Sequence, residues 1–170
     1  MEALIFFIFP LFIFIGLKIA IWRDVDYTAI DLKKYDEGIR MINFGFYDEA
    51  VNYFNEEIKK QPKSMVCYAM RGKAHLFLHN YYQAIYNFDK ALSLNHDLHE
   101  IFLYKGMALY KIDDFELALK EFNKAAWYYK DKNIEVFKWR AKVYIALGNT
   151  EAAQKDLSKS KQINTQIKTS

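Results

Sequence analysis

Residues 72–91 read GKAHLFLHNYYQAIYNFDKA, and residues 106–125 read GMALYKIDDFELALKEFNKA. Laid over one another at an offset of 34 residues, they place Gly72 on Gly106, Ala84 on Ala118, Phe88 on Phe122 and Ala91 on Ala125. The frame extends both ways. Upstream it meets Gly38, Ala50, Phe54 and Glu57, with Pro62 closing the unit; downstream, after one extra residue, it meets Ala141, Ala153, Leu157 and Ser160. A recurrence of this length is the mark of a stacked repeat architecture. Its chemistry is that of two antiparallel helices crossing closely: a small residue where each backbone approaches the other, and a large one filling the space beside it. Asn43 to Tyr47, His79 to Tyr81, Ile112 to Phe115 and Gly148 to Thr150 leave room only for tight turns between the paired helices. Asp48 and Asp114 are placed to cap or favour the helices that follow.

The spacing, the small and large residues and the turns together resemble the tetratricopeptide repeat family over residues 31 to about 165. The expected units are 31–64, 65–98, 99–132 and 134–165, with a frayed tail at 166–170. Glu57 and Ser160 at usually small positions, and His96 where a proline is common, depart from the pattern. The resemblance implies an all-α solenoid of four helix-turn-helix units, a right-handed superhelix with the first helix of each pair lining a concave groove. The last helix is expected to turn Ala152, Ala153 and Leu157 inward and to present Lys155, Ser158, Lys159 and Gln162 as a polar cap.

Projection of the first helices gives the candidate groove residues: Tyr35, Ile39, Met70, Lys73, Tyr104, Met107, Tyr110, Lys138, Trp139 and Lys142, with Ile42, Val66 and Leu103 beside them. Half of such a Met and aromatic stripe is expected to pack against neighbouring repeats, and the exposed remainder to receive a helix or extended peptide. Some family members grip a chaperone's C-terminal carboxylate with Lys, Asn and Arg; at those places this chain has Tyr35, Ile39, Met70, Glu100 and Tyr104, so that mode is not expected.

Composition agrees with a helical binding module. The 170 residues are 52% hydrophobic, contain six Gly and two Pro, and carry 24 basic against 21 acidic residues for a formal charge of +3, so no nucleic-acid footprint stands out. Charge is uneven, since residues 134–170 hold seven basic and three acidic residues.

Ahead of the repeats, residues 3–22 read ALIFFIFPLFIFIGLKIAIW, long enough as a helix to span a hydrocarbon core of roughly 30 Å. Lys18 can snorkel and Trp22 suits the interface; no basic region precedes the run and no small-x-small site ends it, which argues against a cleaved signal peptide. The expectation is a single-pass anchor, then a linker at 23–30, with Lys18, Arg23, Lys33 and Lys34 placing the repeats on the cytoplasmic side.

Enzymatic chemistry is not expected. His75 and His79 share a helix face without a carboxylate or thiol to complete a metal site, no His or Asn evident in the sequence marks Cys67 as a nucleophile, and no phosphate loop occurs. No cofactor is implied. The functional expectation is a membrane-anchored adaptor that binds a protein or peptide in its groove; the alternative is a structural or assembly subunit held in a membrane complex by its anchor.

Overall fold

Each helical pair is closed by the same turn. In the computed structural model, which describes residues 32–94, 98–130 and 132–169, Gly45, His79, Asp113 and Gly148 take positive φ values of 85°, 61°, 62° and 74°. The residue after each sends its N–H back to a carbonyl of the first helix: Phe46 to Met41 at 2.8 Å, Asn80 to His75 at 2.9 Å, Asp114 to Leu109 at 3.0 Å and Asn149 to Tyr144 at 2.8 Å. This is the left-handed helix ending that satisfies orphan carbonyls while reversing the chain. The expected anchor at 3–22, the linker at 23–30 and His96 lie outside the described residues; among those described, no helix is long and apolar enough to cross a membrane.

The helices between these turns are α1 (Asp36–Asn43), α2 (Tyr47–Lys60), α3 (Met65–Phe77), α4 (Tyr81–Leu94), α5 (Glu100–Lys111), α6 (Phe115–Tyr128), α7 (Ile134–Ala146) and α8 (Thr150–Thr169). The described residues are thus all-α, four helical pairs in series. Side-chain caps explain half of the eight starts among the described residues. Ser64 Oγ accepts from the Cys67 N–H, Asp114 Oδ1 from Leu117, Asn133 Oδ1 from Glu135 and Val136, and Asn149 Oδ1 from Ala152. Helix α2 differs: Phe46 stands at its N-cap with no side-chain bond, and Asp48 lies inside the first turn, where it serves the helix dipole rather than a cap.

The repeated small and large residues meet as expected. Phe54, Phe88 and Phe122 are fully buried, and the rings of Phe88 and Phe122 lie against the Cα faces of Gly72 and Gly106. Every helix packs on its chain neighbour, and each first helix also comes close to the next first helix (α1 to α3, α3 to α5, α5 to α7), whereas among the described residues no two second helices bring their backbones as near. The layer in which helices meet directly is the tighter one, so the stack curves with α1, α3, α5 and α7 on its concave side.

Two expectations at the C-terminal end are corrected. Leu157 is 39% exposed rather than turned inward; the buried face of α8 is Ala153, Asp156, Ser160 and Ile163. Asp156 takes the inward place because Arg140 holds it with two hydrogen bonds. Helix α8 continues to Thr169, past the point where fraying was expected, since propagation of a helix already nucleated on α7 adds one hydrogen bond per residue fixed.

Candidate protein-binding groove

The inner layer divides the sequence-derived groove residues into core and surface. Tyr35 is 0% and Met70 3% exposed, and Ile42, Val66 and Leu103 are buried with them. These five are corrected to packing residues. Tyr35 precedes α1, sets its ring edge-on to Phe54 at 6.4 Å and donates its hydroxyl to Gln61 Oε1 at 2.6 Å. Met70 lies in a run of six consecutive buried residues on α3, a helix packed by α1, α2, α4 and α5 together, so a one-face projection could not find a free side.

Ile39, Lys73, Tyr104, Met107, Tyr110 and Trp139 remain half-buried, and Lys138 and Lys142 exposed. Several of these converge. Tyr110 and Trp139 meet edge to face at 5.6 Å, and the other faces of this aromatic set rest on the core: Trp139 stacks on Phe122 at 6.5 Å and Tyr104 on Phe88 at 6.5 Å. Two lysines lie over the rings. Lys142 Nζ is 3.9 Å from the Trp139 centroid, and Lys73 Nζ is 4.6 Å from that of Tyr104. A cation over an aromatic face contributes about 0.5–1 kcal/mol at such exposure, enough to hold the long side chain in place without tying up its charge. Neither ammonium takes part in the ion pairs found among the described residues. Lys138 differs, bound to Glu135 at 2.8 Å in a surface pair. It also borders a cleft of about 540 Å³ lined by Tyr129, Asn133, Ser160 and Lys161, where the α6–α7 connection meets α8. The Tyr129 phenol is pushed up to about 12, first by burial and then by Glu100 and Tyr104, so it stays protonated as a neutral neighbour of the ring set.

The sequence reading missed a second periodic feature. Arg71, Lys105 and Arg140 each stand one residue before the small crossing residue, and each ties two successive second helices. Arg71 donates to Asn87 at 2.8 Å and Asn55 at 2.7 Å; Lys105 pairs with Asp89 at 2.5 Å and Glu121 at 3.4 Å; Arg140 binds Asp156 and, at 2.9 Å, Asn123. Burial works against the charge of Lys105, but its bonds to Asp89 and Glu121 outweigh this and hold it above the ordinary lysine value. The cations recur at the repeat spacing, so the signal was present in the sequence. The histidines do not converge: His75 is half-buried, while His79 is exposed with Nδ1 2.8 Å from the Tyr81 hydroxyl.

The chain is similar to known proteins in part of its sequence and in its fold. Residues 137–166 match the family model of the tetratricopeptide repeat. That stretch, most of α7 and α8, is similar to a tetratricopeptide repeat. Among curated relatives, the Protein SGT1 homolog of Oryza sativa subsp. japonica is 29% identical over 72 residues, 42% of this chain and 20% of that protein. Hsc70-interacting protein 1 of Drosophila melanogaster is 34% identical over 79 residues, 46% of this chain and 21% of that one. The chain thus spans about a fifth of the length of the curated relatives it matches. In solved structures, a crystal structure of MamA superposes with a TM-score of 0.72 at 17% identity, over 90% of this chain and 87% of that one. MamA from Desulfovibrio magneticus RS-1 gives 0.71 at 17% identity over 78% and 74%. At this identity the likeness to MamA is one of fold.

Proposed function

We propose that the repeats act as a membrane-anchored protein-interaction adaptor, held by a helix over residues 3–22 and taking an apolar helix or extended peptide in the concave layer. The observation that carries the reading is the ring set of Tyr104, Tyr110 and Trp139, half-buried on the inner helices with Lys73 and Lys142 lying over its faces. Rings already seated on the core are rigid, so a partner that covers them gains aromatic contact area at little cost in side-chain order. Residues 3–22 supply the length and apolarity for the anchor, and the basic residues that follow favour a cytoplasmic repeat domain. A relative named for interaction with Hsc70 is 34% identical over 79 residues, which supports a protein partner, and Tyr35, Ile39, Met70, Glu100 and Tyr104 at the carboxylate-gripping places favour side-chain over chain-end recognition.

The test is proximity labelling of the full-length protein in its membrane, wild type against Tyr104→Glu with Trp139→Glu, with circular dichroism to check that the variant stays helical. Loss of a defined set of neighbours in the helical variant is the expected result; an unchanged set moves the contact to another face. A topology reporter at the C-terminus reads the orientation, and a reporter active only on the far side of the membrane overturns the cytoplasmic placement.

A further inference from the structure

Six of the large apolar side chains that the described residues leave exposed lie within one helical turn of the reversals inside the units: Phe44 (73%), Phe46 (55%), Tyr82 (73%), Leu117, Ile145 and Leu147. Because successive helices are antiparallel and the first helices lie side by side, these four reversals share one edge of the solenoid, separate from the groove. Scattered apolar residues on a surface need no explanation, but a row along one edge does.

Phe46 makes the case sharper. It occupies the N-cap of α2, the place filled in the other units by Asn80, Asp114 and Asn149, two of which accept a helix N–H. An apolar residue there forgoes about 1 kcal/mol of capping while more than half of its surface stays exposed. Phe44, on the other side of the left-handed Gly45, is the most exposed phenylalanine among those described. A site that breaks a local rule and leaves its apolar rings mostly exposed is where function is to be sought.

The charge around the row names the chemistry of what covers it. Asp48, Glu49, Asp113, Glu116 and Glu151 lie on the same edge, and none takes part in the ion pairs among the described residues; Lys111 is the lysine closest to these turns along the chain. An apolar row flanked by free carboxylates repels an anionic lipid surface and complements an amphipathic segment with Lys or Arg beside its Leu or Phe residues. We propose that this turn edge, headed by Phe44 and Phe46, is a second docking surface that receives a basic amphipathic segment of another protein.

The experiment uses the full chain in phosphatidylcholine nanodiscs and a fluorescein-labelled peptide of Lys and Leu in helical amphipathic order, against the same peptide with Glu for Lys. Anisotropy is read with empty nanodiscs as the blank. The expected result is binding of the Lys peptide at least tenfold tighter than the Glu peptide, lost by tenfold or more in Phe44→Ser with Phe46→Asn and unchanged in the groove variant Trp139→Ala. Phe46→Asn alone, which installs the missing cap, should raise Tm by about 3 °C while weakening the peptide. Equal binding by wild type and the double variant, equal binding of the two peptides, or binding accounted for by the empty nanodisc each overturns the proposal. So does a Phe46→Asn protein that melts lower than wild type, which makes Phe46 a structural residue, or cross-linking between copies that requires Phe44 and Phe46, which makes the occupant a second copy. Loss of binding in Trp139→Ala alone assigns the peptide to the groove and overturns the edge without touching the groove reading.

Discussion

Arg140 and Asp156 meet through two parallel hydrogen bonds, Nε to Oδ2 at 2.7 Å and Nη2 to Oδ1 at 2.8 Å, with the carboxylate side chain only 6% exposed. The fork fastens α8 to α7, and the third guanidinium nitrogen reaches back to Asn123 on α6, so one side chain locks the last pair to the pair before it. Arg71 and Lys105 repeat the arrangement at the earlier junctions with Asn and acidic partners. Stacked repeats are held by nearest-neighbour interfaces, and these cations contribute a polar fastening to each interface beside its apolar one.

Asp156→Ala is expected to cost about 2–3 kcal/mol in urea unfolding, because it leaves a largely buried guanidinium without its bidentate partner. The loss should concentrate in α8, whose amides exchange faster while those of α4 keep their protection. Uniform loss of protection across all helices would show that the pair does not act at this one junction.

Two glycines should respond to alanine for opposite reasons. A Cβ at Gly106 would stand 2.8 Å from the Phe122 ring, which is fully buried and has nowhere to go. Overpacking of about 1–3 kcal/mol then exceeds the roughly 1 kcal/mol that alanine gains in helix propensity, for a net loss of about 1–2 kcal/mol. At Gly45 a Cβ meets nothing within 4 Å, and the loss, about 1 kcal/mol, comes from the φ of 85° alone. Phe122→Leu should rescue Gly106→Ala in a double-mutant cycle and leave Gly45→Ala unaffected.

The spacing of Gly72, Ala84 and Phe88 and its echoes were enough to read the helical pairs and their crossing points, because these positions are dictated by contact between two backbones. The face that each first helix leaves open was not legible from one helix at a time. Tyr35 and Met70 project toward the groove on a wheel but are covered by neighbouring helices, a relation that sequence period cannot carry. Tyr104, Tyr110 and Trp139 stay half-open on the helices where the wheel put them. The Arg71, Lys105 and Arg140 ladder was written at the same spacing as the glycines, yet cations on a helix read as solvated until their partners across the junction are seen.

His79 holds a left-handed conformation at φ 61° in the turn where Gly45 and Gly148 serve two other units. An L-residue there costs about 1–2 kcal/mol, and glycine returns part of this as chain entropy in the unfolded state, about 0.5–1 kcal/mol. His79→Gly should therefore stabilise by about 0.5 kcal/mol, after loss of an exposed bond to Tyr81 that contributes little. The check is a higher urea midpoint at unchanged m; a lower midpoint means that the imidazole and Tyr81 hold the turn more firmly than the backbone strains it.

His75 gives the fold a dependence on mild acid. Burial lowers its pKa below 6.5, the nearby Arg71 charge lowers it further, and Asp48 opposes them only in part. Its Nδ1 is buried without a hydrogen-bond partner among the described residues, so a proton there would gain no protein acceptor. Above pH 6.5 the ring is neutral folded and unfolded. As pH falls below that value the unfolded chain takes up the proton first, so the contribution of the half-buried neutral ring is lost progressively down to the folded pKa. Unfolding free energies measured between pH 7.5 and pH 5 should fall for the wild type, and His75→Leu should flatten that slope. A slope unchanged by His75→Leu would place the acid sensitivity in the other ionisable groups.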